Sequence, residues 1–552
     1  MLMASNKILI YQIFTRLYGN CCQTRKPFGT IEENGCGKLN DFTPSVLKQI
    51  REKGITHVWF TGVIRHATMT NYSHYGIPCQ HPAIVKGRAG SPYAITDYYD
   101  IDPDLAVNVE KRMNEFEKLV NRTHRAGMKV IIDFVPNHVA RQYKSICKPK
   151  GVKDLGEDDD TTQGFSPANN NFYYCPGQQF TPYFDLYHGE KVPYFEQPAK
   201  ATGNDCFNNA PGRNDWYETV KLNYGVDYYA GGVGHFDPMP DTWKKMTDIL
   251  LFWASKGIDG FRCDMAEMVP AAFWAYATAT VKAKYPELLF IGEVYNPGEY
   301  RNYISSGFDY LYDKVGMYDV LRDITCHRRG TNDITHAWQS TDDIRDHMLY
   351  FLENHDEQRI ASSFFAGDGR KAIPALIISV LLQKNPFMLY AGQEFGEHGM
   401  DEEGFSGRDG RTTIFDYWSI DSICRSFEGN LTNDEQQLAN TYKKILSIAQ
   451  KEKAISEGHM FDLMYANSQY GGQFAFLRSN GKSNLLIVVN FEDNSTEIDL
   501  TIPSHAFDYL GIAEKEYSAT DLLSNIKQEI SLHRDGQLKL SLPPRGGIIL
   551  KF

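Results

Sequence analysis

Short apolar runs recur along most of this chain, and helix-like segments separate most of them. The runs are KILIYQIF (7–14), ITHVWFTGV (55–63), KVIIDFVPNH (129–138), GIDGFRCDMA (257–266), LLFIGEVY (288–295), MLYFLENHDE (348–357) and NPFMLYAGQE (385–394). Runs this short and this apolar read as strands buried on both faces, the mark of a parallel sheet. TPSVLKQIREKG (43–54), NEFEKLVNRTHRAG (114–127) and DTWKKMTDILLFWASKG (241–257) are helix-like, and each ends on the glycine that favours a helix C-terminus. Strand–helix–strand repeated this often predicts an α/β chain, and about eight such units close a (β/α)8 barrel. FDYLYD (308–313) is the weak candidate for the eighth strand.

Two stretches break the rhythm. Residues 139–236 are rich in Asn, Pro, Tyr and Gly and far longer than an ordinary βα loop. Beyond residue 456 the pattern turns to strands such as QFAFLRS (473–479), NLLIVVNF (484–491) and LKLSLP (538–543), separated by turn residues. The expected organisation is a barrel from 1–138 and 237–456, an inserted domain at 139–236 after the third strand, and a C-terminal antiparallel β-sandwich at 457–552.

Charge narrows the function. Lys+Arg 57 against Asp+Glu 69 gives −12, without a basic run, which speaks against nucleic acid and anionic membranes as partners. No apolar run approaches the roughly 20 residues of a membrane span. The start, MLMASNKILIYQIF, has no basic region and no small-residue cleavage site, so it reads as a first strand and the expected location is the cytoplasm. The ten cysteines show no zinc-type pair of CxxC motifs and read as free thiols. A monomer or small homo-oligomer is expected.

The chemistry lies where the candidate strands end. KVIIDFVPNH ends in Asp133, Asn137 and His138; GIDGFRCDMA carries Arg262 and Asp264; LLFIGEVY carries Glu293; MLYFLENHDE ends in Asn354, His355 and Asp356. In a barrel these C-terminal ends share one mouth. Residues i and i+2 of a strand face the same way, so Arg262 and Asp264 point together into that mouth while Cys263 points to the helices. Alone, a strand-end carboxylate is usually a cap or surface charge, and a lone His a satisfied core residue. Four strand ends all bearing ionisable groups are a different matter, because burying them is costly unless they pair or serve a reaction. Two carboxyls in one pocket suit glycoside hydrolysis. Arg262 should hold Asp264 ionised as a nucleophile. Glu293, on an apolar strand and near Asp356, should have a raised pKa and act as general acid. His138 and His355 would donate hydrogen bonds to sugar hydroxyls.

These residues resemble the α-amylase family, glycoside hydrolase family 13. DFVPNH (133–138), GFRCDMAEM (260–268), GEV (292–294) and ENHDEQR (353–359) match its four core motifs in order, with VKLNY (220–224) as a weaker fifth. The resemblance implies a retaining hydrolase of α-1,4-glucosidic bonds in starch-derived glucans or maltooligosaccharides, acting through a covalent glycosyl-enzyme. It implies Asp264 as nucleophile, Glu293 as acid/base and Asp356 as transition-state stabiliser, the first two carboxyls about 5–5.5 Å apart. It implies Arg262, His138 and His355 around the cleaved sugar, Tyr93 of PYAITDYYDID (92–102) stacked on it, and Arg411 beside it. No cofactor is needed for the chemistry; a structural calcium ion is implied at Asn137, while EDDD (157–160) reads as a solvated loop.

Two departures bear on substrate and a third on metal. Glu267 and Met268 stand where many endo-acting amylases carry Lys-His. Gly90 stands where many α-glucosidases carry an Asp, which favours an open cleft. In TIEENGCGKLNDF (30–42), Lys38 stands where a second metal site would end, so its ammonium is expected to replace an ion and pair with Glu32 or Glu33. VKLN is closer to the neopullulanase-like branch. An α-glucosidase, a neopullulanase or a transglycosylase is the alternative within the family; a non-catalytic carbohydrate-binding or scaffold protein is the alternative outside it.

Overall fold

The computed structural model describes residues 7–186, 188, 189, 191–399 and 407–552. Among them eight strands close a barrel: β1 (Leu9–Phe14), β2 (His57–Thr61), β3 (Lys129–Phe134), β4 (Gly260–Cys263), β5 (Leu289–Gly292), β6 (Tyr310–Tyr312), β7 (Met348–Phe351) and β8 (Phe387–Tyr390). Each pairs in parallel with its sequence neighbours, and β8 closes onto β1. The weak candidate at 308–313 is thus a barrel strand, β6, only three residues long.

Side-chain alternation divides the strands between two cores. Ile10, Trp59, Ile131, Ile291, Tyr312, Leu349, Phe351 and Met388 fill the barrel interior. Their neighbours Leu9, Tyr11, Val58, Phe60, Val130, Ile132, Phe261 and Cys263 belong to the larger core against the helices. Both faces are buried, which is why these strands read as unbroken apolar runs.

The strands stop sooner than the runs that predicted them. β3 ends at Phe134, two residues before Pro136, which lacks an N–H for a ladder. His138–Ala140 then pairs antiparallel with Thr219–Lys221, so the two ends of the long insertion are clasped beside the barrel mouth. Inside the insertion the ladders are two residues long, Tyr174–Cys175 with Ala199–Lys200 and Val226–Asp227 with Val233–Gly234. Buried side chains take over: the Arg141 guanidinium donates to the carbonyls of Tyr217 and Lys200 and pairs with Glu196.

The C-terminal part forms a six-stranded antiparallel sheet, with Thr496–Ile502 and Gly536–Leu542 forming a separate antiparallel pair. The buried Arg478 guanidinium joins it to the barrel, donating to the carbonyls of Leu382 (2.9 Å), Ala454 (3.1 Å), Ile455 (2.6 Å) and Gly458 (3.0 Å). The cysteines are all free thiols. Among the described residues no helix is long and apolar enough to cross a membrane.

Candidate active site

The strand ends meet on one guanidinium. Arg262, on β4, is 1% exposed, with its cationic carbon 5.3 Å from the Trp59 ring centroid, 5.5 Å from that of Tyr93 and 5.6 Å from that of Tyr312. Its Nη1 lies 2.7 Å from Asp264 Oδ1 and 3.6 Å from Asp133 Oδ1; its Nη2 lies 2.7 Å from Glu293 Oε2 and 3.9 Å from Asp356 Oδ2. Side chains from four strand ends therefore surround one cation, as the i, i+2 argument for Arg262 and Asp264 requires. Asp264, Glu293 and Asp356 border a cleft of about 790 Å³ with Tyr93, His138, His355 and Arg411.

Each carboxyl is held differently. Asp264 follows the last residue of β4, and Met265 after it takes φ 44°, an uncommon conformation for a non-glycine residue. That turn aims the Met265 N–H back at Glu293 Oε2 (2.7 Å), while the Tyr295 hydroxyl donates to Glu293 Oε1 (2.6 Å). Asp356 is the accessible one: 37% of its side chain is open, against 8% for Asp264 and 5% for Glu293.

Burial raises the pKa of Asp264 well above the ordinary value. Arg262 opposes this, and the charges of Glu293 and Asp356 add to it. Asp356 is raised as well by desolvation, against Arg262 and Arg411. Arg262 favours the ionised form of Asp264, as expected, but in the free site burial and the neighbouring carboxylates outweigh it, because one cation is shared among several carboxyls. Asp133, raised to about 6 by burial against the pull of Arg262, accepts from Trp59 Nε1 (3.1 Å) and the Gly62 N–H (3.2 Å), below the cleft.

The histidines are neutral: burial lowers His138 to about 3, and takes His355 well below its ordinary value. His355 Nδ1 meets Gln12 Nε2 (2.7 Å), and its Nε2 meets the Tyr93 hydroxyl (2.5 Å) and Asp356 Oδ2 (3.1 Å). The Tyr93 ring stacks on that of His355, centroids 5.3 Å apart and 27° between planes. Arg411 reaches the rim, where its Nε donates to Asp409 Oδ2 (2.7 Å).

Gly90 explains its own departure from the glucosidase pattern. It has φ +77°, and a Cβ there would sit 1.6 Å from the Ala67 carbonyl oxygen, so no Asp fits. Glu267 has structural work instead of a product-side contact: its Oε2 accepts from the N–H groups of Tyr295 (2.9 Å) and Asn296 (3.0 Å), fixing the loop that carries Tyr295. Sequence reasoning missed Tyr295, Lys86, Trp216 and Glu218, all of which border the cleft. Only the aromatic character of Tyr295 and Trp216 was a signal for them.

The residues do not fit a calcium ion at Asn137. The Lys221 ammonium donates to Asn137 Oδ1 (2.8 Å) and pairs with Asp205 Oδ1 (2.6 Å), while Asn137 Nδ2 donates to the Gly203 carbonyl (2.7 Å). A cation is already built into the chain there. The EDDD run is engaged within the insertion: Asp159 accepts from the N–H groups of Asn171 and Phe172, and Asp158 pairs with Lys153. Lys38 departs from expectation too. Its ammonium donates to the Asp104 carbonyl (2.5 Å), because Glu33 is occupied as the capping-box partner of Thr30 and by Lys26 (2.6 Å). The carboxylates of Asp97 and Asp100, which with Cys147 could group around a metal, already pair with Arg65 and Arg112. A chelator should therefore leave both rate and melting temperature unchanged. Lys221→Met should cost about 1–3 kcal/mol, because it strips the buried Asn137 acceptor of its donor. A melting temperature lowered by chelation would contradict this.

The family model described as "Alpha amylase, catalytic domain" matches residues 25–444, and that of the "Alpha amylase, C-terminal all-beta domain" matches 466–552. α-Amylase 3 of Dictyoglomus thermophilum is 27% identical over 389 residues, 66% of this chain and 68% of that protein. Neopullulanase 2 of Thermoactinomyces vulgaris is 22% identical across 99% of this chain and 78% of that protein. In fold, the chain is similar to a noncanonic maltogenic α-amylase from Thermotoga neapolitana, with a TM-score of 0.64, 21% identity and coverage of 100% and 99% of the two chains. An α-amylase from Geobacillus thermoleovorans complexed with acarbose gives 0.64, 20%, and 99% and 98%.

Proposed function

This chain belongs to the α-amylase family of glycoside hydrolases, and from that premise we propose that it cleaves α-1,4-glucosidic bonds in starch-derived glucans or maltooligosaccharides with retention. The observation that carries the reading is the single Arg262 guanidinium within 4 Å of Asp264, Glu293 and Asp356 in one cleft. A scaffold or binding protein would have no use for three carboxyls held at such electrostatic cost.

In this reading Asp264 attacks the anomeric carbon as Glu293 gives its proton to the departing glycosidic oxygen. Water then attacks the glycosyl ester, and Glu293 takes the proton back. Glu293 Oε2 faces the Arg262 cation and accepts from the Met265 N–H, so Oε1, which accepts only from the neutral Tyr295 hydroxyl, is assigned the proton transfer. Asp356 orients sugar hydroxyls and stabilises the charge that develops on the ring. His138 and His355, both neutral, bind hydroxyls without adding charge, and Tyr93 supplies the stacking face. The chain divides accordingly into the barrel at 1–138 and 237–456, the insertion at 139–236 that walls the cleft, and the sandwich at 457–552.

Asp264 must lose its proton to act, and its pKa is raised. Activity should therefore fall as pH drops through a value above the ordinary Asp range of about 3.9. A profile of kcat/KM from pH 3 to 9 with its acid limb below that range would contradict the assignment.

The near whole-length likeness to a neopullulanase and a cyclomaltodextrinase favours a second reading, action on pullulan or cyclic dextrins. A chromatographic time course with maltoheptaose and pullulan separates the two, and NMR of the first-formed anomer tests retention. Faster turnover of pullulan would select the second reading, and an inverted product would refute the double displacement.

A further inference from the structure

The side of the cleft away from Glu293 is closed by three loops that one lysine ties together. Lys86 follows β2, Glu218 lies in the insertion after β3, and Phe415 follows β8. The Lys86 ammonium is 2.8 Å from Glu218 Oε1, with side chains only 10% and 5% exposed. It also lies over the rings of Tyr217 (5.6 Å) and Phe415 (5.9 Å). The loops touch backbone to backbone: the Ala89 N–H donates to the Phe415 carbonyl (3.0 Å), and a Cβ on Gly87 would come within 2.2 Å of that oxygen.

Two features of this wall stand out. Glu218 Oε2 is buried with no hydrogen-bond partner, although the residue borders the cleft. Buried carboxylate oxygens are rarely left so. Trp216 takes φ 42°, a strained conformation for a bulky side chain, and Thr219 holds it there by donating its N–H and its hydroxyl to the Trp216 carbonyl, both at 2.8 Å. The indole is thereby placed 5.3 Å from the His138 ring. Strain of this kind gathers where a ligand must be met.

Barrel order places this wall across the mouth from Glu293. The strands run β1 to β8 around the ring, so β5, which carries Glu293, stands opposite β1, and β1 is flanked by β2 and β8. If Glu293 is the acid, as proposed above, it must reach the glycosidic oxygen, which sets the leaving part of the glucan on its side. The sugar kept on Asp264 extends toward Lys86, Glu218 and Phe415.

We propose that the Lys86–Glu218 pair is an end wall for the glycone half of the cleft and recognises the non-reducing end of a maltooligosaccharide. Glu218 Oε2 accepts from a hydroxyl of the terminal unit, and Trp216 stacks on a sugar face beside it. The enzyme is then an exo-acting one that releases short products of fixed length, rather than the open-cleft enzyme expected from Gly90. This rests on the α-glucan reading above.

The test uses maltoheptaose labelled at its reducing end, with a second preparation whose non-reducing 4- and 6-hydroxyls are blocked as an acetal. Early in the time course the wild type should give one dominant labelled product and cleave the blocked substrate at least tenfold more slowly. Lys86→Ala should scatter the cleavage positions toward longer glycone fragments and narrow the blocked-to-free difference. Glu218→Gln, which keeps the shape, should do the same to a lesser degree if the alanine variant does not fold. Scattered wild-type products with equal rates on both substrates would overturn the wall and leave the α-glucan reading standing. No cleavage of maltoheptaose, pullulan or cyclic dextrins would overturn both.

Discussion

Asp264→Asn is expected to lower kcat on maltoheptaose by on the order of 10^4-fold or more, with KM and melting temperature close to wild type. An amide cannot form the glycosyl ester, and Glu293, held by Arg262, Met265 and Tyr295, is placed in this reading as proton donor and not as a second nucleophile. The fold should tolerate the change. The backbone N–H of residue 264 still donates to the Phe134 carbonyl (2.9 Å), and the amide oxygen still accepts from Arg262. The substitution also removes a negative charge that burial, Glu293 and Asp356 all disfavour. Activity within tenfold of wild type would place the nucleophile elsewhere and revive a non-catalytic role for this carboxyl.

Arg262→Met is expected to act on both rate and stability. At neutral pH it should cost about 3–5 kcal/mol, because it leaves buried carboxylates without their shared cation. The loss should shrink on acidification. Without Arg262 the pKa values of Asp264 and Asp356 rise further. At a pH below those values the carboxyls are protonated and carry no unpaired charge; above them the penalty is fully present. Urea denaturation of both proteins at pH 5 and pH 8 reads this directly. A difference that stays constant with pH would mean that Arg262 stabilises by packing against Trp59, Tyr93 and Tyr312 alone. The activity should fall at least as far as in Asp264→Asn, since all three working carboxyls lose their anchor.

What the sequence discloses here follows the physics of each part. The barrel is legible because two-sided burial makes every strand an apolar run, and the site because ionisable residues punctuate those runs at one end. β6 is faint because three residues, Tyr-Leu-Tyr, are all that it needs. The wall of Lys86, Trp216, Glu218 and Phe415 is not legible. It depends on loops after β2 and β8 and on an irregular insertion, which is held by side chains such as Arg141 rather than by ladders with a period. Lys221 stood in plain view within VKLNY, yet only folding brings its ammonium to Asn137. The direction of the Asp264 shift also needed the structure, since spacing placed Arg262 beside it without revealing how many other carboxyls share that cation.

The central claim is that Asp264 forms a covalent bond to the glycone while Glu293 handles the proton. The most direct measurement is mass spectrometry of peptides from Glu293→Gln enzyme incubated with a fluorinated glucosyl fluoride, whose reactive leaving group needs no acid. The account predicts a fluoroglucosyl ester on the peptide containing Asp264. The same label on Asp356 or Asp133 would contradict it.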